Sequence, residues 1–327
     1  MIEVKNLTKN YGTHTAVSDL SFTIEDGHIY GLLGPNGAGK STTMNIMTGC
    51  LAATSGEVII GGYDIFEEPK EAKKLIGYLP EIPPLYVEQT PREYLTFVAQ
   101  AKGIKKDDLE DEIDKVVEET HIEDVENRLI SHLSKGYRQR VGIAQALLAN
   151  PEVIILDEPT VGLDPVQIIE IRDLIKKLGQ SHTVILSSHI LSEVQAICDE
   201  VIIIHKGKLI AFDKPENLEK AAIGGNRVEI TAETSVAQIK KILSNVDHIT
   251  DIEPVESRRK KSHVILKVDV DEPGEVCRDI FSAFMEAGKT LLQVTPIKMS
   301  LEDVFVDLTT NDDEEYEDDD EEEDDDE

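Results

Sequence analysis

Residues 34–41 read Gly34-Pro35-Asn36-Gly37-Ala38-Gly39-Lys40-Ser41, a complete G-x-x-x-x-G-K-[ST] pattern. The apolar run Ile29-Tyr30-Gly31-Leu32-Leu33 stands before it, and the helix-compatible stretch Thr42-Thr43-Met44-Asn45-Ile46-Met47 stands after it. A phosphate-cradling loop needs that context, because a strand must deliver it and a helix N-terminus must receive the charge. Three glycines let the backbone wrap a phosphate chain without Cβ clashes, so that N–H groups point inward. Lys40 can place a cation on the β- and γ-phosphates, and Ser41 can offer a hydroxyl to Mg²⁺.

Downstream, Val153-Ile154-Ile155-Leu156 is a short apolar run, rich in β-branched residues, that ends in Asp157-Glu158. Such a run fits a strand buried on both faces of a parallel sheet. An Asp at its end can hold Mg²⁺, as it does in P-loop enzymes. Glu158 points elsewhere and can orient or deprotonate an attacking water. A helix follows, with Ile168, Ile171, Leu174, Ile175 and Leu178 on one face. Thr183–Ser187 and Val201–Ile204 read as two more buried strands, and strands alternating with helices indicate an α/β core.

The first 30 residues alternate short apolar runs with turn signals and read as antiparallel strands, as does Glu57–Ile60 before Gly61-Gly62. Residues 91–148 carry a helical pattern, with Pro91 suited to a helix start and a helical run over Val141–Ala149. The composition shifts at Ile223-Gly224-Gly225-Asn226. Beyond it the pattern predicts strands at Val228–Thr231, His248–Val255, His263–Val270 and Thr290–Pro296, and helices at Val236–Leu243 and Gly274–Ala287. That βαββαβ order suggests a small split-βαβ domain. Arg258-Arg259-Lys260-Lys261 reads as a solvated hairpin tip.

The chain of 327 residues carries a formal net charge of −32. Residues 312–327 hold 15 acids and one Tyr, and the remainder still carries −17. The tail is expected to stay disordered by self-repulsion. An acidic body of this kind opposes nucleic-acid binding, which needs basic footprints. The three cysteines, Cys50, Cys198 and Cys277, show no disulfide framework or metal spacing. Reduced, mostly packed thiols in a cytosolic protein are expected. The N-terminus lacks the apolar core of a signal peptide, and no segment reaches the roughly 20 apolar residues of a membrane helix. The chain is expected to be soluble and to reach a membrane only through a partner.

Leu133-Ser134-Lys135-Gly136-Tyr137-Arg138-Gln139-Arg140 leads into the helical run. Here the chain resembles the ATP-binding-cassette ATPases, whose Leu-Ser-Gly-Gly-Gln signature matches at Leu133, Ser134 and Gly136 and departs at Lys135 and Tyr137. The resemblance covers residues 1–220. It places Tyr11 against adenine, Gly162-Leu163-Asp164 in a D-loop, and His189, after Ser188, as the switch histidine at the γ-phosphate. Where the family's Q-loop usually has Gln, this chain has Glu81 in Tyr78-Leu79-Pro80-Glu81. A carboxylate there can still reach Mg²⁺ or the catalytic water, but it adds negative charge beside ATP. That run, Pro84-Leu85-Tyr86 and the signature variant together resemble the ATPase subunits of ABC-2-type exporters, gliding-motility-type cassettes included. Many of these end in a small α+β domain and a segment like Ser300-Leu301-Glu302-Asp303-Val304-Phe305.

The resemblance implies a P-loop NTPase core with antiparallel β and helical subdomains over 1–222, an α+β domain over 223–310, and an acidic tail over 311–327. It implies ATP and Mg²⁺ as cofactors. Nucleotide contacts would come from Gly34 through Thr42, Tyr11, Ser134, Gly136 and Asp164. Catalysis would rest on Lys40, Glu158 and His189, and the metal on Ser41, Asp157 and Glu81. Two cassettes, identical in the simplest case, would sandwich two ATP molecules and drive a separate membrane permease subunit at the cytoplasmic face of the membrane. The C-terminal domain would sit near the dimer interface. The rival class is a soluble ABC ATPase acting on the ribosome or on DNA. Against it stand the one P-loop, the acidic body, and the 94 positions between Lys40 and Ser134, too few for a long coiled coil. A non-hydrolysing regulator is opposed by the presence of Glu158 and His189.

Overall fold

The computed structural model describes residues 1–222, 226–244, 246–258, 261–270, 273–297 and 305. By its contacts the chain divides between Pro215 and Glu216. The expected tail, residues 223–225 and 300–304, and two residues of the basic turn (259 and 260) lie outside the described residues.

The first unit opens with β1 (Ile2–Tyr11) and β2 (His14–Ile24), an antiparallel pair that turns at Gly12. Then come β3 (Ile29–Leu33), α1 (Lys40–Met47), β4 (Ser55–Ile60), β5 (Tyr63–Asp64), α2 (Pro69–Lys74) and β6 (Ile76–Leu79). A helical stretch follows: α3 (Pro91–Ala101), α4 (Leu109–Thr120) and α5 (Lys135–Leu147). Last are β7 (Val153–Leu156), α6 (Pro165–Leu178), β8 (Thr183–Ser188), α7 (Leu191–Ile197), β9 (Glu200–His205) and β10 (Lys208–Asp213), and α8 (Pro215–Ala222) carries the chain across the division.

Two sheets result. One is antiparallel, in the order β2-β1-β4-β5. The other runs β10-β9-β3-β8-β7-β6, with every neighbour from β9 to β6 parallel and β10 antiparallel at the edge. Each residue of β3 and β7 is buried, as a strand covered on both faces requires. Val4, Leu20 and Val58 of the first sheet share one apolar cluster with Tyr30, Ile155 and Ile202 of the second and with Met44 and Met47 of α1. Each fully buried Leu, Ile or Met contributes about 1.5–3 kcal/mol. Because the five parallel strands point one way, the loops that leave β3, β6, β7 and β8 all emerge at one edge, where α/β sheets bind their ligands.

The helical stretch is fixed by caps and one hub. Thr90 Oγ1 accepts from the Glu93 N–H at 3.3 Å, and Glu93 Oε2 accepts from the Thr90 N–H at 2.9 Å. This capping box, with Pro91 behind it, starts α3. Arg92 binds Glu110, Asp114 and Glu126 at 2.6, 2.8 and 2.9 Å, joining α3 to α4 and to the turn after it. The run expected over Val141–Ala149 is part of α5, which starts earlier and stops sooner. Ser134 caps it by accepting from the Tyr137 N–H at 3.3 Å. Leu148 leaves the helix, and Ala149 and Asn150 take φ of 69° and 48°. Pro151 accounts for the early stop, since the residue before a proline avoids the α region.

The second unit contains β11 (Asn226–Ala232), α9 (Val236–Leu243), β12 (Ile249–Arg258), β13 (Lys261–Val268), α10 (Pro273–Glu286) and β14 (Leu291–Ile297). Its sheet runs β12-β13-β11-β14, all antiparallel. Alternation along β11 and β13 sends Val228, Ile230, Val264 and Leu266 to one face, where Ile239, Ile280 and Phe284 cover them. Arg258 pairs with Lys261 at the end of the β12–β13 ladder. The three cysteines are free: Cys50 exposed, Cys198 buried, Cys277 between the two. Among the described residues no helix is long and apolar enough to cross a membrane.

Candidate functional site

The loop between β3 and α1 is shaped by its glycines. A Cβ on Gly34 would lie 2.3 Å from the Ile204 carbonyl oxygen. Gly39, the N-cap of α1, has φ of 107°, and a Cβ there would lie 2.6 Å from the Ala16 carbonyl oxygen. Only glycine fits either place. The first turn of α1 carries no acid, so its positive end is left free for an anion.

Lys40, the first residue of α1, is buried and donates from Nζ to the carbonyls of Gly34 at 2.8 Å and Pro35 at 3.3 Å. Its Nζ is 4.0 Å from Glu158 Oε1. Burial lowers the Lys40 pKa, and the charges of Glu158, Asp157 and Glu81 oppose that shift.

At the end of β7, Asp157 Oδ1 accepts from Ser187 Oγ at 2.5 Å and from Ser41 Oγ at 3.3 Å. Ser187 Oγ also accepts from the Glu158 N–H at 2.8 Å. Glu158 takes a left-handed φ of 49°. Glu158 Oε2 lies 2.8 Å from His189 Nδ1. A carboxylate and an imidazole in contact, beside a buried lysine, form an acid–base group aimed at one spot.

These parts surround a cleft of about 430 Å³, lined by Tyr11, Pro35, Asn36, Gly37, Gly39, Lys40, Ser41 and Thr42 together with Glu81, Glu158 and His189. Tyr11 is half exposed, and Lys9 Nζ stands 5.2 Å from its ring centroid. Gly34 and Ala38 do not line the cleft. They shape it from behind, with Ala38 buried against Gly34.

Ser134, Gly136 and Asp164 are not brought to this cleft. They line a second one, of about 780 Å³, with Tyr137, Arg140, Gln167 and Glu170. Asp164 Oδ1 accepts from the N–H groups of Val166 and Gln167, both at 3.0 Å, and so caps α6. Thus α5 and α6 both present capped N-termini to the second cleft. Gly136 lies against Gln167, where a Cβ would meet the side chain at 2.7 Å.

Ser41 and Asp157 offer a hydroxyl and a carboxylate side by side. That set suits Mg²⁺, which keeps several waters and phosphate oxygens and needs one or two protein ligands. Among the described residues no group of three or more His, Cys, Asp or Glu could hold a metal alone. Ser187 was missed in the sequence. Its one signal is a hydroxyl next to Ser188-His189 at a strand end, which does not say that it holds Asp157.

The chain is similar to known proteins. A family model described as ABC transporter matches residues 17–161. The uncharacterised ABC transporter ATP-binding protein YhcH of Bacillus subtilis (strain 168) is 38% identical over 314 residues, 94% of this chain and 96% of its own length. The bacitracin transport ATP-binding protein BcrA of Bacillus licheniformis is 38% identical over 312 residues, covering 94% of this chain and 97% of itself. The lantibiotic transport ATP-binding protein SrtF of Streptococcus pyogenes, also 38% identical, matches 67% of this chain with 95% of its own length. Among solved structures, an ATP-binding subunit of an ABC transporter has a TM-score of 0.62 at 32% identity, covering 68% of this chain and 93% of that one. A dimeric ATP-binding cassette in a post-hydrolysis state, bound to ADP and Pi, has a TM-score of 0.60 at 27% identity, covering 65% of this chain and 98% of that one.

Proposed function

The chain belongs to the ABC transporter family, as an ATP-binding subunit that hydrolyses ATP, and from that premise we propose that two copies close on two ATP molecules and drive a membrane permease of ABC-2 exporter type. The observation that carries this reading is the separation of the two clefts. The Lys40 cleft and the Ser134 cleft share no lining residue, so one chain does not complete its own nucleotide site. A head-to-tail pair sets Ser134 and Gly136 of one copy against the phosphates held by the other. ATP then acts as the glue, and its hydrolysis releases the pair.

Within one site the chain has defined tasks. The P-loop N–H groups and Lys40 neutralise phosphate charge, the main requirement of phosphoryl transfer. Ser41 and Asp157 would hold Mg²⁺, which when bound spreads the charge of the β- and γ-phosphates. Glu158 orients the attacking water and takes its proton, and His189 holds the Glu158 carboxylate in place at 2.8 Å. Tyr11 stacks on the adenine, a half-exposed ring suited to that work.

The outlet to a membrane subunit is the segment that follows Glu81. Ile82 is 82% exposed, and Tyr86, Val87 and Phe97 are about half exposed. Tyr86 packs on Tyr94 and Phe97 with ring centroids 5.6 and 5.3 Å apart. Exposed apolar groups gathered this way mark an interaction surface. One end of the segment lines the ATP cleft at Glu81, so nucleotide state reaches the apolar patch through a few residues. Purification of the chain from membranes tests the reading. Co-purification with a polytopic membrane protein is expected, and co-sedimentation with ribosomes instead would overturn it.

A further inference from the structure

Glu193 is the most deeply buried carboxylate near the site, and the chemistry above does not use it. Its side chain is 3% exposed, on the first turn of α7. Leaving a carboxylate uncompensated in such a place is costly, so its partners decide why it is there. Glu193 Oε2 accepts from Thr160 Oγ1 at 2.5 Å and from Ser188 Oγ at 3.3 Å. Arg172 of α6 comes within 3.4 Å of Oε1, and its buried Nε has no hydrogen-bond partner. The short contact is therefore the hydroxyl one, and the ion pair is the looser.

The two hydroxyls belong to the two segments that carry the acid–base pair. Thr160 stands two residues after Glu158, and Ser188 stands directly before His189. Glu158 and His189 meet 2.8 Å apart, yet they sit on different loops, after β7 and after β8. Ser187 ties those loops on the strand side, through Asp157 and the Glu158 N–H. On the far side Glu193 spans both loops with a single oxygen atom. Val194, next in the chain, is fully buried and lies against Gly31 of β3, so α7 gives that oxygen a rigid mount.

We propose that Glu193 is a positioning residue for hydrolysis: it holds the Thr160 and Ser188 loops at the spacing that sets His189 against Glu158. The proposal rests on the roles given above to Glu158 and His189. Glu193 does not line the Lys40 cleft; it acts through the loops. Misplacing a reacting group by an ångström costs a rate far more than it costs binding.

Steady-state ATPase, nucleotide affinity and melting temperature of the purified chain test this. Glu193→Ala is expected to lower kcat about tenfold or more, with KM for ATP within about twofold. Glu193→Gln keeps an acceptor oxygen for the two hydroxyls and is expected to recover most of that loss. Thr160→Val keeps the shape but removes the short hydrogen bond, and is expected to lower kcat selectively without emptying a cavity. Arg172→Met, which removes only the ion pair, is expected to lower the melting temperature and leave kcat within about twofold. A Thr160→Val kcat equal to wild type overturns the proposal. So does a loss that follows the folded fraction equally in the alanine, glutamine and methionine variants. Glu158→Gln run alongside separates the two levels: if it too turns over normally, the acid–base assignment fails, and if it alone is inactive, only the role of Glu193 fails.

Discussion

The cleft at Lys40 and the cleft at Ser134 belong to one cassette but are built on opposite plans. The first is dense: a buried lysine and an imidazole lie within 4.0 Å of Glu158, and the Ser187 and Ser41 hydroxyls hold Asp157, so each charge is already placed. The second is larger and carries no such acid–base group: Ser134 caps α5, Asp164 caps α6, and Arg140 pairs with Glu170 at 2.9 Å. The first plan suits a group that does chemistry, where placement must be set before substrate arrives. The second suits a docking face, where two helix N-termini meet an anion supplied from elsewhere. Under the proposed function, a site split in this way hydrolyses ATP only when a second copy arrives, and its incompleteness is what makes it a switch.

Breaking the dense half has the largest expected effect. Glu158→Gln keeps shape and removes the base, so turnover is expected to fall by about 10²–10³-fold while ATP still binds. The same variant is expected to accumulate as an ATP-dependent dimer in gel filtration. His189→Ala is expected to lose a comparable share of turnover, and near-normal activity in either variant removes that residue from its role. Breaking the open half costs less. Ser134→Ala removes a hydroxyl and a cap worth about 1 kcal/mol. Its turnover is expected to drop about tenfold, with nucleotide affinity of the monomer unchanged; weakened monomer binding, measured by titration calorimetry, would join the two clefts and end the contrast. The smallest effect is expected at the margin of the dense half. Glu81→Gln removes one exposed negative charge beside the phosphates. ATP affinity without Mg²⁺ is expected to rise about threefold, in line with an exposed charge pair of under 1 kcal/mol. No change in chelator-containing buffer would mean that Glu81 faces away from the nucleotide.

The dense half was legible in the sequence because its residues mark the ends of strands that announce themselves. Val153–Leu156 and Thr183–Ser188 are buried on both faces, and such runs stand out without any periodicity. The second unit was legible by alternation, which follows from a sheet covered on one face, with α9 observed over the expected Val236–Leu243. The start of α5 was less clear: Lys135-Gly136 is a poor helix opening, with glycine costly in a helix and a basic residue at its positive end. Only the Ser134 cap overrides both. Glu193 gave no local signal at all, and the hydroxyl of Ser187 at a strand end does not say what it holds. Thr160 and Glu193 are 33 positions apart, and nothing in either stretch names the other.

By itself the sequence determined which groups are available and at which strand ends they stand, since burial patterns and glycine-rich loops are local properties of the chain. The tertiary structure alone decided which of them meet. The order β10-β9-β3-β8-β7-β6 is not the order of the chain, and it sets the P-loop after β3 beside the ends of β8 and β7, which carry Ser187, His189 and Glu158, while leaving Ser134 in another cleft. Strand order is settled by packing the whole buried sheet at once, and no stretch of residues carries that information alone.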